Sequence, residues 1–230
     1  MTDNSFNIRI KADAVRLLEL VGLLKQNCYI PSDHYSEESK KVSMENDFVK
    51  TFDVIQSTFS YDILLKDDSM YQLHKSGDDY RYLFIQNYRC KISFEEYVTK
   101  YNEDNVAISD EELDFLQEIY EVGDDEKCYV ERKNPIYIRY DVSGSQYSEG
   151  IHPYSHLHIG IGNEIRIPLS IILTPEMFVL FSIKMAYPDK WIYVCHNNAI
   201  VEIMNTFKSK CEKVNNKYWS EIDMKDLFII

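Results

Sequence analysis

A length of 230 residues with 45% apolar side chains permits a sizeable core and argues against a disordered chain. The 38 acidic residues against 25 lysines and arginines leave a formal charge of −13, which opposes broad nonspecific binding to DNA or RNA but does not exclude a local basic pocket. Seven glycines and six prolines are too few for a long flexible linker, and no apolar run reaches the ~18 residues of a membrane span.

The opening MTDNSFNIRIKADAV lacks the basic-then-apolar pattern of a secretion signal. Five cysteines (Cys28, Cys90, Cys128, Cys195, Cys211) are scattered with no CxxC pair, so reduced thiols in a cytoplasm are expected. Along residues 8–26, Ala14, Leu17, Leu18, Val21 and Leu24 recur at helical spacing and predict an amphipathic helix. YIPSDHYSEESKKVS reads as a loop, and residues 48–65 are ambiguous between helix and strand. In MYQLHKSGDDYRYLFIQNY, two tyrosine-containing runs flank turn residues, which predicts a β-hairpin. YRYLF could stack bases, though tyrosine-rich strands usually serve packing.

Ser93 followed by Glu96, and Ser109 followed by Glu112, are capping boxes, which predict helices near 94–101 and 110–121. Strands follow at KCYVER and PIYIRYD. Thr174 and Pro175 start a helix that Pro188 ends, and a last helix covers about 198–213. Trp191–Cys195 is undecided, and the apolar tail DMKDLFII is expected to pack down. This order favours an α+β fold, an antiparallel sheet packed against several helices. The chain reads as one domain over 1–230, with a subdivision into 1–125 and 126–230 as the alternative.

Residues 135–168, PIYIRYDVSGSQYSEGIHPYSHLHIGIGNEIRIP, hold four of the seven glycines and three of the six histidines. The two-residue period of a strand sends Ile136, Ile138 and Tyr140 one way and Tyr137, Arg139 and Asp141 the other. In SHLHIGIG it sets Ser155, Leu157, Ile159 and Ile161 against His156, His158, Gly160 and Gly162. In EIRIP, Ile165 and Ile167 face inward and Glu164 and Arg166 outward. If these strands are neighbours, one face is apolar and the other carries Arg139, Asp141, His156, His158 and Arg166, with GSQYSEGIHPY as a loop over it.

Imidazoles titrate near neutrality and serve as base or acid, and arginines clamp phosphate. The plain alternative is ordinary polar decoration of an exposed sheet face, where an imidazole adds little to stability. A metal-free site with no cofactor is preferred over a divalent metal, because Asp141 and two histidines offer at most three ligands without CxxC or HExxH support. GIGNE reads as a tight turn, and His34, His74 and His196 as isolated, structural or exposed residues.

The combination of RYD, HPYSHLHIG, RIP and TPEMFVLFSIKMAYP resembles an uncharacterised bacterial domain-of-unknown-function family associated with mobile and phage-defence loci. A shorter likeness is to TumE-type toxins of toxin–antitoxin pairs, which carry R-Y-D before an H-x-H; the matching positions are Arg139, Asp141, His156 and His158. The first 125 residues have no counterpart in those toxins.

Two functions follow as expectations. One is a metal-independent, ribonuclease-like effector of a bacterial anti-phage system. His156 and His158 would act as base and acid on RNA, Arg139 and Arg166 would hold the phosphate, and Asp141 would orient a histidine. The other is a non-catalytic partner in a multi-protein defence complex. It would dock through the acidic region from Glu103 to Lys127, where eleven acidic residues face one basic residue.

Overall fold

The structure is a computed structural model that describes residues 3–28, 36–102, 107–123, 125–162 and 165–225. The N-terminal stripe forms helix α1 (Asp3–Val21), on which Ala14, Leu17, Leu18 and Val21 are buried. It ends sooner than the spacing predicts, because Gly22 takes a left-handed φ of 74° and Leu24 instead opens strand β1 (Leu24–Asn27).

Within the expected loop, residues 29–35 lie outside the described residues, but Ser36 caps a short helix, α2 (Glu37–Val42). The ambiguous stretch divides into α3 (Phe48–Ser57), capped by Asp47, and β2 (Ile63–Leu65). The hairpin is present as β3 (Met70–Ser76) and β4 (Asp79–Ile85). Next come β5 (Arg89–Lys91), α4 (Phe94–Tyr101), α5 (Asp110–Val122) and β6 (Tyr129–Glu131), and both capping boxes are formed.

Strands β7 (Tyr137–Val142), β8 (Ser155–Ile159), β9 (Ile167–Pro168) and β10 (Ile171–Ile172) follow. Thr174 caps α6 (Pro175–Ala186) as expected. Pro188 does more than stop it, since it opens α7 (Pro188–His196), which contains the undecided Trp191–Cys195 stretch. The last helix, α8 (Asn198–Lys210), is shorter than predicted and gives way to β11 (Glu212–Lys213). In the tail, residues 223–225 make a helical turn and residues 226–230 lie outside the described residues. No helix among the described residues is long and apolar enough to cross a membrane.

The fold is α+β. Residues 1–86 and 136–230 form one compact unit, and residues 87–135 form a second. Residue 125 falls inside that second unit. In it, β5 pairs with β6, and Ile92, Tyr97, Leu116 and Cys128 make a small core beneath α4 and α5. Of the acidic region, residues 103–106 and 124 lie outside the described residues.

The larger unit is built on an antiparallel sheet ordered β1-β2-β3-β4-β7-β8-β9. One sheet face packs against helices: Tyr71, Tyr82, Phe84, Ile138, Tyr140 and Leu157 share a core with α1, Phe178 and Ile183 of α6, and Ile200 and Phe207 of α8. Buried hydroxyls anchor this layer. Tyr71 meets Ser182 of α6 at 2.7 Å. Tyr140 meets Ser155 at 2.9 Å and accepts from the Leu173 amide at 2.9 Å.

Removing the Tyr140 hydroxyl leaves that buried amide without its acceptor, so Tyr140→Phe is expected to cost about 1–3 kcal/mol. Urea denaturation checks this, and an unchanged midpoint would mean the bridge is dispensable.

Candidate functional site

The opposite face of the sheet carries the polar residues, and its register brings them into rows. Arg139 pairs with His158 and Asp141 with His156 across β7 and β8. On the other side of β7, Asp141 pairs with Arg81 of β4, which pairs with His74 of β3. His74, Arg81, Asp141 and His156 therefore stand in one row over four strands. Arg139, Asp141, His156 and His158 share one face, as the strand period indicates. Phe48 of α3 meets Tyr137 edge to face at 6.5 Å, so a helix covers the Tyr137 end of this face.

The Arg139 Nε donates to Asp141 Oδ2 at 2.7 Å. That same oxygen lies 3.4 Å from His158 Nε2 and 4.0 Å from His156 Nε2, and the two Nε2 atoms are 3.0 Å apart. His156 and His158 are each only 1% exposed, so they are not surface decoration, and the expectation of a small stability effect at these positions is corrected. The His152 ring packs edge-on against His156 at 4.8 Å. The Nδ1 atoms of His152, His156 and His158 have no hydrogen-bond partner of good geometry among the described residues, although the Pro153 carbonyl lies beside the His156 ring.

These surroundings set the charges. Burial pushes the His156 imidazole down to about 3, helped by neighbouring His158 and only partly opposed by Asp141. Burial also lowers His158, against the pull of its Asp141 contact. For Asp141, burial alone would raise the carboxyl, but the His158 contact and the charges of Arg139 and Arg81 outweigh it and bring the group down to about 2. At neutral pH the site holds an ionised carboxylate and two neutral imidazoles.

A cleft of about 470 Å³ opens onto this row, lined among others by His74, Arg81, Arg139, Asp141, His152 and Arg166. Arg166 lies at its rim, exposed and outside any strand. The expected strand EIRIP is present only as Ile167–Pro168; Ile165 is 61% exposed rather than inward, and Glu164, with part of the GIGNE turn, lies outside the described residues. The loop between β7 and β8 contributes Gln146 and His152 to the lining. His196 sits apart on α7, and His34 is outside the described residues. Sequence reasoning missed Arg81, His74 and His152 as cleft residues. For the first two, the two-residue period in DYRYLFI and MYQLHKS gives the face they share, but only the pairing of β4 with β7 puts them in this row.

Because the folded chain buries neutral histidines, their contribution is complete above the ordinary histidine value of 6.5 and is lost as pH falls below it, where the unfolded chain takes up protons first. Asp141 adds to the loss only between its ordinary value of 3.8 and about 2. In EDTA-containing buffer, burial of His156 is expected to make unfolding free energy drop by about 1–2 kcal/mol between pH 7 and pH 5, with His158 adding in the same direction. His156→Asn should flatten that slope, measured by urea denaturation at each pH.

No curated protein and no solved structure is detectably similar to this chain. A family model described as an uncharacterized conserved protein family, DUF2290, matches residues 23–223, a span that takes in both rows of the polar face, the cleft and its loop. The chain belongs to the DUF2290 family.

Proposed function

We propose that this protein is a ribonuclease-like enzyme that binds a phosphodiester in the Arg81–Arg139–Arg166 cleft and acts on it through Asp141, His156 and His158. The setting is the bacterial defence or growth arrest that the R-Y-D and H-x-H likeness implies. The observation that carries the reading is three arginines lining one cleft with Asp141, whose carboxylate backs onto two buried imidazoles, in a chain whose net charge is −13. Arg139 already serves Asp141. Arg81 and Arg166 are exposed and form no ion pair among the described residues, so their forks are available to phosphate oxygens.

The expected division of labour, with one imidazole as base and the other as acid on either side of the phosphate, suits the geometry poorly. The Nε2 atoms face each other at 3.0 Å and leave no room for a reacting group between them. Their arrangement favours a single unit acting at one point, with Arg139 orienting the carboxylate.

A separate observation favours the docking role for the smaller unit. On α5, Asp110, Glu111 and Glu112 fill the first turn, while Phe115 and Val122 are 58% and 69% exposed. This surface would take a basic partner with an apolar spot. Such binding is expected to weaken with salt and with Glu111→Lys; indifference to both would exclude it.

For the enzyme reading, Arg81→Gln and Arg166→Gln should stay within about ±0.5 kcal/mol of wild-type stability, because both side chains are exposed. Each should nonetheless slow cleavage of a fluorescent single-stranded RNA by about 10²-fold. Arg→Lys at these positions should rescue little, since the planar fork is lost. Full cleavage rates, or full growth arrest on expression, in both glutamine variants would sink the proposal.

A further inference from the structure

We propose that Asp141, His156 and His158 form a binding site for one divalent first-row transition metal ion. The assignment concerns the side chains of the nuclease reading but does not depend on it, because it rests on how three donor atoms converge. His156 Nε2, His158 Nε2 and Asp141 Oδ2 form a triangle with edges of 3.0, 3.4 and 4.0 Å. A point equidistant from the three lies about 2.1 Å from each, the length of a metal–imidazole or metal–carboxylate bond. Among the described residues this is the group of three or more His, Cys, Asp or Glu side chains able to meet at one ion.

The fold presents these donors without rearrangement. The two histidines alternate on β8, so both project from the same sheet face, and Asp141 stands directly across from His156 on β7. Rigid strands position donors more exactly than loops do. Arg139 holds the carboxylate at 2.7 Å, and the Pro153 carbonyl lies beside the His156 ring, the kinds of outer partner that orient metal ligands.

The donor set selects the class of ion. Two imidazole nitrogens and one carboxylate suit zinc, manganese, iron or nickel, whereas magnesium and calcium require mostly oxygen. Three protein ligands leave coordination positions for water or substrate, and Asp141 faces the cleft with Arg139 and Arg166 nearby. A metal placed there can lower the pKa of a bound water and polarise a phosphoryl oxygen held by the arginines.

The test uses the purified 230-residue chain, stripped with chelator and titrated calorimetrically with ZnCl2 and, separately, MnCl2, without substrate. One equivalent is expected to bind. His158→Asn and Asp141→Asn should each weaken binding by more than the about 10–100-fold that loss of an outer partner costs. Because the histidines are buried, each variant is first checked for folding by circular dichroism. Should His158→Asn fail to fold, Asp141→Asn carries the mutational test. The absorption spectrum of the Co2+-loaded wild type, expected to show nitrogen and oxygen ligation in a low-symmetry site, gives a readout independent of any variant.

Absence of binding in the wild type, or full-strength binding in folded Asp141→Asn, overturns the site. The nuclease reading fails separately: metal that binds without any RNA cleavage removes that reading and leaves the site, whereas cleavage at full rate in excess EDTA keeps the nuclease and removes the metal from its chemistry, leaving the site to the titration.

Discussion

The register of β7 against β8 is the constraint on which the site depends. It sets Arg139 opposite His158 and Asp141 opposite His156. A slip of β8 by one residue would turn His156 and His158 into the core and expose Leu157. The core face resists that slip in two ways. The apolar side chains pack under α1 and α6, and Tyr140 hydroxyl, Ser155 hydroxyl and Leu173 amide interlock beneath the polar row. Ser155 also donates to the Ile171 carbonyl at 2.7 Å, which draws the chain after β9 under β8. The apolar side of these two strands thus fixes what the polar side can do.

Burying this much polarity is tolerated because the charges nearly cancel. Arg139 and Asp141, with side chains 11% and 18% exposed, neutralise each other through a short hydrogen bond, and the two imidazoles enter the interior uncharged. At the rim, Arg81 and Arg166 flank the cleft and form no ion pair within 4 Å among the described residues. In a chain with a net charge of −13, those two guanidinium groups create a local field opposite in sign to the surface as a whole. For the proposed phosphodiester substrate, an anion of modest size would be drawn to the cleft, while a long polyanion lying across the surface would be repelled. That contrast favours a short or single-stranded substrate over duplex nucleic acid for any phosphodiester chemistry at this site.

Much of the fold was legible because its signals are local. The capping boxes at Ser93 and Ser109, the N-cap at Thr174 and the turn at Gly77 each act within a few residues, and each element forms where its signal stands. The period of two in RYD and HLH fixed which side chains share a face, since a pleated strand permits no other arrangement. It could not tell what covers that face. His156 and His158 looked exposed because their parity matches a solvent side, yet both are buried. Arg81 and His74 were passed over because their membership of the row depends on β4 pairing with β7 across an insertion of about fifty residues, and no local pattern states that pairing. Helix α1 was overextended for a smaller reason: Leu24 continued the apolar stripe, but the φ of Gly22 had already turned the chain.

The cleft is also shaped from far along the sequence. The loop between β7 and β8, which brings Gln146 and His152 to the site, is tied down by Asp223. This buried carboxylate accepts from the Tyr147 hydroxyl at 2.7 Å and from the Gly150 amide at 3.0 Å. Gly150 holds a φ of 65°, a left-handed conformation that glycine adopts without strain, and its amide points to Asp223 as a result. Tyr154 stacks on Tyr218 with ring centroids 4.2 Å apart, so the end of the loop is clamped by the same C-terminal segment. His152 therefore reaches the His156 ring from a loop fixed at both ends rather than from a free strap. A loop held this way costs little further ordering when a ligand enters, which is how a site on a rigid sheet can extend its recognition to residues beyond the sheet.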